Sequence, residues 1–552
     1  MFNYIKIHYR MNRLIIMILM YFFLTGQSCQ KDEIPEIPQP LLSSSIHLVP
    51  LYSDKDEHSI VDFSIHNSEN QPIVLKEVLL NIMGTFDKKG MLSFEIIYLG
   101  NDKGVEQNYV FGKTSDIDEK NVVSGQLSLA QGVHKFSLKM RTKGAIQLKS
   151  YFKIVSFKFQ FENIKPVEAP QLASYTFRPC LKVRKKGQDN CDTYRIPGLI
   201  TTKKGTLIAV YDNRYNNSLD LQEHVDIGMS RSTDGGESWE PMKVIMDMGE
   251  WGGKEQSLNG IGDPSILYDH NTNTIWVAAL WMSGLDTKKR LWWASGPGMT
   301  PEETGQFILT KSTDDGVTWS PSINITSQIK DPNWQLLLQG PGKGITLVDG
   351  TLVFPAQFKA NIGVKALDGG AYTCHSTIVY STDKGKNWQI GTGAKSNTTE
   401  AQVVQLSDGS LMLNMRDDRN RTDKSSTNGR AISVTKDLGK TWMVHPTSNS
   451  ALTEPNCMAS LISADLRVNG KNQKVLFFSN PNHNSKRSDM TIKTSLDEGL
   501  SWPEKYQIIL NGETGYGYSC MTMVDEKTVG ILYEGTKDLY FQKISVDELI
   551  SK

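Results

Sequence analysis

The chain has 552 residues and carries 60 basic and 60 acidic side chains, so its formal net charge at pH 7 is zero. A balanced charge argues against a nucleic-acid partner held by bulk electrostatic attraction. The length exceeds that of an ordinary single domain and indicates more than one.

The N-terminal residues have the pattern of a secretion signal. Arg10 and Arg13 precede an apolar run over residues 14–24, which is short for a membrane span and is followed by small and polar residues that end at Cys29. Met11 is an alternative start, because the residues that follow it form a complete signal. The sequence LTGQSC at 24–29 resembles a bacterial lipoprotein cleavage site. We therefore predict a signal peptide over residues 1–29, a lipid anchor at Cys29 and a location outside the cytoplasm, at the outer membrane or cell surface; plain secretion to the periplasm is the alternative.

Two further segments precede the main part of the chain. Residues 30–45 contain Pro35, Pro38 and Pro40, which predict a stiff tether. Apolar and polar residues then alternate at 61–66, 136–140 and 157–161, as in strands with one buried face. Several such strands without a helical stretch predict an antiparallel β-sandwich over residues 46–170.

The six cysteines give no disulfide framework. They occupy positions 29, 180, 191, 374, 457 and 520. Lipidation of Cys29 leaves an odd number, so at least one is unpaired, although Cys180 and Cys191 could pair across a short loop. Neither the cysteine spacing nor the scattered histidines resembles a metal site, and we predict no metal.

One short phrase returns five times in the last two thirds of the chain. It keeps a fixed Asp, Gly and Trp register at residues 232–239, 312–319, 381–388, 435–442 and 495–502. The Asp carboxylate can accept hydrogen bonds from backbone N–H groups of its own turn, the Gly adopts a conformation that a Cβ disfavours, and the Trp supplies apolar surface. Apolar β-forming residues precede most copies, so each phrase is predicted to join two antiparallel strands.

The spacing of these phrases predicts the fold. Their Asp residues lie 54 to 80 residues apart, which leaves room for about four short strands in each unit. That is the size of a propeller blade. We predict an all-β protein in which residues 175–552 form a six-bladed β-propeller with Asp-box turns, one blade lacking the phrase and the first blade being closed partly by the C-terminal segment.

Candidate chemistry begins at Arg195, in the sequence TYRIPG at 193–198. Its neighbours are apolar, and burying an unpaired guanidinium is costly, so it needs a partner. The Arg-Ile-Pro phrase followed by repeated Asp-to-Trp turns resembles the exo-α-sialidases, the neuraminidases of glycoside hydrolase family 33. The resemblance covers roughly residues 190–540, and the order of its motifs is specific.

The resemblance implies a set of basic residues and an acid. Arg195, Arg416 and Arg487 match the three arginines that hold the carboxylate of sialic acid, and Arg214 matches a further arginine that faces substrate. Three guanidiniums suit a permanently anionic group, since each offers forked donors that do not titrate. Asp220 matches the acid/base residue, and Glu223 and Asp226 are its rivals nearby.

The resemblance also implies a nucleophile and its partners. Tyr518, in the sequence GYGYS at 515–519, matches the nucleophilic tyrosine, with Tyr516 as the alternative phenol. Sialidases are a tyrosine exception among glycosidases, and a neutral phenol is not repelled by the carboxylate on the anomeric carbon. Glu400 matches the base beside the tyrosine. Glu534 matches the acidic residue that orients Arg195, a contact that would join the last strand to the first.

The implied reaction is retaining hydrolysis of terminal sialic acid from glycans through a tyrosyl intermediate, by a monomer that needs no cofactor. A trans-sialidase and a non-catalytic sialoglycan-binding propeller are the alternatives. The sequence leaves open whether the sandwich binds glycan or only spaces the propeller from the membrane.

Overall fold

The computed structural model describes residues 39–550, apart from 86–88, 105, 144–145, 171, 173, 221–222 and 285–290. The predicted signal peptide, Cys29 and most of the predicted tether lie outside the described residues. The α-helices within them are short: α1 (Leu291–Ala294), α2 (Thr326–Ile329) and α3 (Val546–Ile550). None of the described helices is long and apolar enough to cross a membrane.

The first part of the described chain forms two packed sheets. Its strands are β1 (Leu41–Ile46), β2 (Leu51–Tyr52), β3 (Glu57–Asn67), β4 (Ile73–Thr85), β5 (Met91–Asn101), β6 (Glu106–Thr114), β7 (Lys120–Leu129), β8 (Gly132–Thr142), β9 (Tyr151–Phe161) and β10 (Val167–Glu168). One sheet has the order β1-β3-β8-β5-β6 and the other β10-β9-β4-β7, with antiparallel neighbours throughout. Phe63 stacks on Phe136 and contacts Phe159 between the sheets. This is the expected antiparallel sandwich.

The start of the sandwich differs from the sequence prediction in two ways. Strand β1 begins at Leu41, inside the stretch assigned to the tether, because its alternating residues pair with β3. Strand β2 leaves the sandwich altogether. It runs parallel to the first strand of the next domain, pairing Leu51 with Pro179 and Tyr52 with Cys180.

The remaining strands follow in chain order. They are β11 (Pro179–Arg184), β12 (Thr193–Thr201), β13 (Leu207–Arg214), β14 (Val225–Ser232), β15 (Lys243–Met246), β16 (Ile261–Asp269), β17 (Thr274–Trp281), β18 (Gln306–Ser312), β19 (Ile323–Asn324), β20 (Leu336–Gln339), β21 (Gly342–Lys343), β22 (Ile345–Thr346), β23 (Leu352–Ala360), β24 (Thr373–Ser381), β25 (Gln389–Ile390), β26 (Lys395–Ser396), β27 (Thr398–Gln405), β28 (Leu411–Asp417), β29 (Ala431–Thr435), β30 (Met443–Val444), β31 (Ser460–Val468), β32 (Lys471–Pro481), β33 (Met490–Ser495), β34 (Gln507–Asn511), β35 (Ser519–Asp525), β36 (Thr528–Glu534) and β37 (Leu539–Ser545).

In the described residues these strands form six sheets. Their orders are β2-β11-β37-β36-β35, β12-β13-β14-β15, β19-β18-β17-β16-β21, β20-β23-β24-β25 with β22 and β26 at its edges, β27-β28-β29-β30, and β31-β32-β33-β34. Contacts between sheets run in a cycle, from β12 to β16, β23, β27, β31, β35 and back to β12. Six sheets in cyclic contact are the blades of a six-bladed propeller, and the fold class is all-β as predicted. The first blade contains both β11 and the C-terminal strands, so it closes the ring.

The five repeated turns have one hydrogen-bond pattern. In each, the Asp carboxylate accepts from the backbone N–H four residues later, at 2.8 to 3.0 Å. The hydroxyl two residues before the Asp accepts from the Gly N–H at 2.7 to 3.0 Å. Thr435 replaces Ser without losing this hydroxyl, and Asn387 donates its Nδ2 to Asp383 at 2.6 Å. The two departures from the repeat therefore keep the turn intact.

Cys180 and Cys191, the two cysteines that could have paired across a short loop, form no disulfide. Both are free and buried, as are Cys374, Cys457 and Cys520. Cys180 lies in β11 and its Sγ is 3.7 Å from the hydroxyl of Tyr533, whereas Cys191 follows that strand and packs in a different apolar cluster. The two thiols therefore lie in different parts of the core.

Candidate active site

The eight residues singled out in the sequence lie at one end of the blades. Arg214 is the last residue of β13 and pairs with Val225, whereas Leu207 at the other end pairs with Ser232, where the repeated turn begins. The same holds in the fifth sheet, where Arg416 is near the end of β28 and Leu411 pairs with Thr435. The turns are thus at the far end of the blades from these residues.

Arg195 and Glu534 form a buried ion pair between the blade that begins with β12 and the first blade, which contains the C-terminal strands. The Nε of Arg195 donates to Oε1 of Glu534 at 3.0 Å. The same carboxylate accepts the backbone N–H of Ile196 at 2.8 Å and that of Tyr518 at 2.9 Å. A bulge in β12 positions the arginine, since the register shifts after Arg195 and Ile196 has a φ of 57°. One carboxylate therefore fixes the guanidinium and the start of β35 together.

Asp220 lies in the loop between β13 and β14, and its side chain is 57 % exposed. Its Oδ1 accepts from Arg195 at 2.9 Å and from Arg214 at 2.9 Å. Arg214 is buried and also donates to Asp212, at 2.7 and 3.0 Å, and to the carbonyl of Ser218. Because its donors are engaged in this way, Arg214 orients Asp220.

The two rival carboxylates lie elsewhere. Glu223 accepts a hydrogen bond from Asn216 at 2.7 Å. Asp226 is buried on β14, 3.2 Å from His224, and burial, with the charge of Asp247, raises its pKa to about 7. Neither lines the cleft that Asp220 lines. The geometry therefore favours Asp220 over both.

Tyr518, Glu400 and Arg416 form the centre of the site. The phenol of Tyr518 donates a short hydrogen bond to Oε1 of Glu400, and Arg416 Nη1 donates to Oε2 of Glu400 at 2.7 Å and to the phenol oxygen at 3.2 Å. Burial and the negative charge of Glu400 raise the pKa of Tyr518 well above its usual range, and the charges of Arg416 and Arg487 lower it. The phenol is therefore protonated at neutral pH, with an acceptor in place for its proton.

Arg487 and Tyr516 flank this centre. Arg487 lies in the loop before β33, donates to the carbonyl of Tyr516 at 2.9 Å and has its guanidinium 5.7 Å from the ring centre of Tyr518. The guanidinium of Arg195 is 4.6 Å from the ring of Tyr516 and 5.0 Å from that of Tyr518. Tyr518 thus has three guanidiniums around it and a carboxylate on its hydroxyl. Within the part of the chain that the structure describes, Glu400 and Arg416 hydrogen-bond to the phenol of Tyr518 and not to that of Tyr516.

A cleft of about 270 Å³ opens beside Tyr518. Polar groups line one part of it, and Leu280, Leu336, Leu338 and two tryptophans line another. An apolar wall next to fixed charges suits a ligand that has both an anionic and an apolar group. Among the described residues, no group of His, Cys, Asp and Glu is arranged to hold a metal ion.

The chain is similar to known proteins over most of its length. The BNR repeat-like domain family matches residues 205–531. A sialidase of Bacteroides fragilis is 46 % identical over 431 residues, which is 78 % of this chain and 76 % of that protein. The solved structure of the Hadza microbial sialidase Hz136 superposes with a TM-score of 0.78 at 37 % identity, covering 91 % of this chain and 99 % of that one.

The chain belongs to the sialidase family of glycoside hydrolases. A sialidase of Micromonospora viridifaciens is 31 % identical over 63 % of this chain and 50 % of its own length. A leech intramolecular trans-sialidase shares the fold, with a TM-score of 0.52 at 16 % identity.

Some residues of this sialidase-family site escape sequence analysis. Asp263 lines the cleft with a φ of 57°, and burial, with the charges of Asp212 and Asp220, raises its pKa well above the usual range. Asn456 accepts from Arg416 Nη2 at 3.0 Å. Trp292 donates its indole N–H to Asp368 at 2.9 Å at the apolar wall. None of these lies in a repeated phrase; the Gly-Asp-Pro sequence at 262–264 was the available signal for Asp263.

Proposed function

We propose that this protein is an exo-α-sialidase that releases terminal α-ketosidically linked sialic acid from glycans with retention of configuration. The main support for this proposal is a hydrogen bond: the phenol of Tyr518 donates to Glu400, and Arg416 contacts both groups. The arrangement supports nucleophilic attack by a tyrosine, because the base takes the proton as the oxygen attacks.

The arginines account for selection of an anionic sugar. Arg195, Arg416 and Arg487 surround Tyr518 from three blades. Their charges are permanent, and their donors match the two oxygens of a carboxylate. A substrate carboxylate held there would place its anomeric carbon close to the phenol. A carboxylate nucleophile would be repelled at that position, whereas a protonated phenol is not.

Asp220 supplies the acid. Its Oδ1 accepts a hydrogen bond from Arg195 Nη1, which is a donor that the substrate carboxylate would use. Entry of the substrate therefore replaces one carboxylate by another and removes a cation from Asp220. The loss of that cation, with the new negative charge nearby, favours the protonated form of Asp220. The carboxyl can then protonate the departing glycosidic oxygen and afterwards activate the water that releases the sugar.

The test is turnover of α2,3- and α2,6-sialyllactose with identification of the released sugar by NMR. We expect free sialic acid whose first-formed anomer is α. Tyr518→Phe should lower kcat at least about 100-fold, since it removes the nucleophile. Tyr516→Phe is the matched control and should keep most of the rate. Wild-type turnover by Tyr518→Phe would refute the tyrosyl mechanism, and absence of any release by the wild-type protein would favour a glycan-binding propeller.

A galactoside acceptor separates hydrolysis from transfer. The same reaction run with lactose in excess should still yield free sialic acid as the main product. A sialylated acceptor as the main product would show a trans-sialidase instead.

A further inference from the structure

The loop that carries the tyrosines is attached to the N-terminal domain. It follows β34 and leads into β35, over residues 512–518. The backbone N–H of Gly512 donates to the carbonyl of Leu48 at 2.6 Å, and a Cβ on Gly512 would lie 2.8 Å from that of Leu48. The hydroxyl of Tyr175, in the segment between the domains, donates to the carbonyl of Leu510 at 2.7 Å.

Tyr52 makes the most specific of these attachments. Its hydroxyl donates to Oε2 of Glu513 at 2.7 Å and accepts from Asn511 Nδ2 at 3.2 Å. The ring is 3 % exposed and lies 5.2 Å from that of Tyr540. Strand β2 holds Tyr52 here by pairing with β11. Tyr52, which lies between sandwich strands β1 and β3 in sequence, thus hydrogen-bonds to the residues on either side of Gly512, the first residue of the loop.

The start of the loop borders a cavity. A cavity of about 380 Å³ lies against Glu513, Thr514, Gly515 and Gly517. Further along the loop, the N–H groups of Gly515 and Tyr516 donate to the carbonyls of Arg487 and Gly535. Arg487 also donates to the carbonyl of Tyr516, and the N–H of Tyr518 donates to Glu534. These bonds hold the later part of the loop, whereas Glu513 and Thr514, next to the cavity, depend on the attachments at its start. A shift there would spread to the phenol five residues after Glu513.

We propose that Tyr52 is a positioning residue for the reaction, which acts through Glu513 to hold the loop that presents Tyr518 to the substrate. The sandwich, through β2, is then a working part of the active site and does more than space the propeller from its surroundings. This inference rests on the proposed function, because it assigns a task to Tyr52 only if Tyr518 is the nucleophile.

The test compares Tyr52→Phe with the wild-type protein in steady-state turnover and in the rate of covalent labelling by 2,3-difluorosialic acid. Tyr52→Phe keeps the ring and its packing but removes the hydroxyl. We expect kcat and the labelling rate to fall about three- to tenfold, as for loss of one well-placed hydrogen bond, with little change in KM. A purely structural role would lower Tm and leave both rates unchanged.

Three further variants make the test specific. Tyr98→Phe removes another buried tyrosine bond within the sandwich, the 2.8 Å contact with His134, and should change Tm without changing kcat. Glu513→Gln keeps an acceptor for Tyr52 and should stay close to wild type, whereas Glu513→Ala should match Tyr52→Phe. The double variant Tyr52→Phe with Glu513→Ala should be no slower than either single one.

Two results would overturn the inference: wild-type kcat and labelling in Tyr52→Phe, or an equal loss in Tyr98→Phe. Either would leave the proposed function standing, provided that Tyr518→Phe is inactive. Full turnover by Tyr518→Phe would instead remove the proposed function and, with it, the basis for this inference.

Discussion

At the scale of single residues, one buried carboxylate connects the two halves of the site. Glu534 binds the guanidinium of Arg195 and caps the backbone of Ile196 and Tyr518. Glu534 is the main group that holds the Arg195 side chain in place. The remaining carboxylate partner of Arg195 in the described residues is Asp220, whose side chain is largely exposed. Removing the charge at position 534 should therefore weaken the binding of a substrate carboxylate by Arg195.

We expect Glu534→Gln to lower kcat/KM at least about tenfold, mostly through KM, because loss of a partner for a buried charge typically costs several kcal/mol. Steady-state kinetics on a fluorogenic sialoside measure this. Glu548→Gln is the control, since Glu548 pairs with the buried Arg178 at 3.1 Å away from the cleft. An equal kinetic loss in both variants would show a general effect on folding.

Asp226 gives a second test at this scale. Its pKa is raised from 3.8 to about 7, so the folded state binds the proton more tightly, and stability falls as pH rises through that window. Asp226→Asn removes the penalty, and it should be more stable than wild type at pH 8, by up to a few kcal/mol, with the gain vanishing near pH 4. Thermal unfolding at both pH values measures the gain.

Substitutions at positions 220 and 226 show which of these two carboxyl groups is the acid. Asp226→Asn should keep most of the activity, whereas Asp220→Asn should lose about 10²-fold or more, as expected for loss of an acid/base group. Turnover at pH 6 measures both. The reverse result would move the acid to position 226.

At the scale of elements, strand irregularities aim the site residues. The register shifts after Arg195 in β12, around Asp263 in β16 and before Ala401 in β27, next to Glu400. A bulge turns a side chain away from the direction that regular alternation would give it. Strands β12, β16 and β27, from three different blades, therefore direct an arginine and two carboxyl groups toward one region.

These irregularities explain how far sequence reasoning reaches. The repeated turns are local structures with their own donors and acceptors, so their sequence predicts five of the blades. The sixth, which lacks the phrase, is inferred from the need to close the ring. Arg195 and Tyr518 lie in distinctive phrases at known places in that register. Asp263 and Asn456 owe their positions to positive φ angles and long-range contacts, and only Asp263 has a local sequence signal, the Gly-Asp-Pro at 262–264. The excursion of β2 into the propeller is likewise set by its pairing with β11, a partner more than a hundred residues away.

The turns themselves yield a prediction about acid stability. Hydrogen bonds from Asn387 and Ser381 lower the pKa of Asp383 to about 2. A lowered carboxyl pKa stabilises the fold above its ordinary value of 3.8, and this contribution is lost as pH falls toward 2. Asp383→Asn should therefore lower Tm at pH 6, and the difference from wild type should shrink between pH 4 and pH 2.

The kinetic constants of Asp383→Asn provide a control for its effect on stability. Because the turn is at the far end of the blade from the cleft, Asp383→Asn should keep its kcat and KM at temperatures well below Tm. Asp116→Asn changes an exposed Asp outside the repeated turns and should show no such pH-dependent difference. A kinetic defect in Asp383→Asn would contradict the separation of turn and site.

At the scale of the whole molecule, sandwich and propeller share structure. Strand β2 covers one edge of the closing blade, Leu48 supports Gly512, and Ile509 packs against the sandwich core. A chain that starts at residue 174 would lose all three supports. We expect it to have a lower Tm and a lower kcat than the full chain, measured by calorimetry and sialoside turnover; equal values would show that the propeller is self-sufficient.

The first blade has one further consequence, which concerns the order of synthesis. Its strands β35, β36 and β37 come last from the ribosome, yet β37 pairs with β11 and the three strands bring Tyr518 and Glu534 to Arg195. A nascent chain that has completed five blades thus has Arg195, Arg416 and Arg487, but neither Tyr518, the proposed nucleophile, nor Glu534, which holds Arg195 in place. Catalytic competence would appear only when the ring shuts, so an incomplete or prematurely terminated chain would be inert.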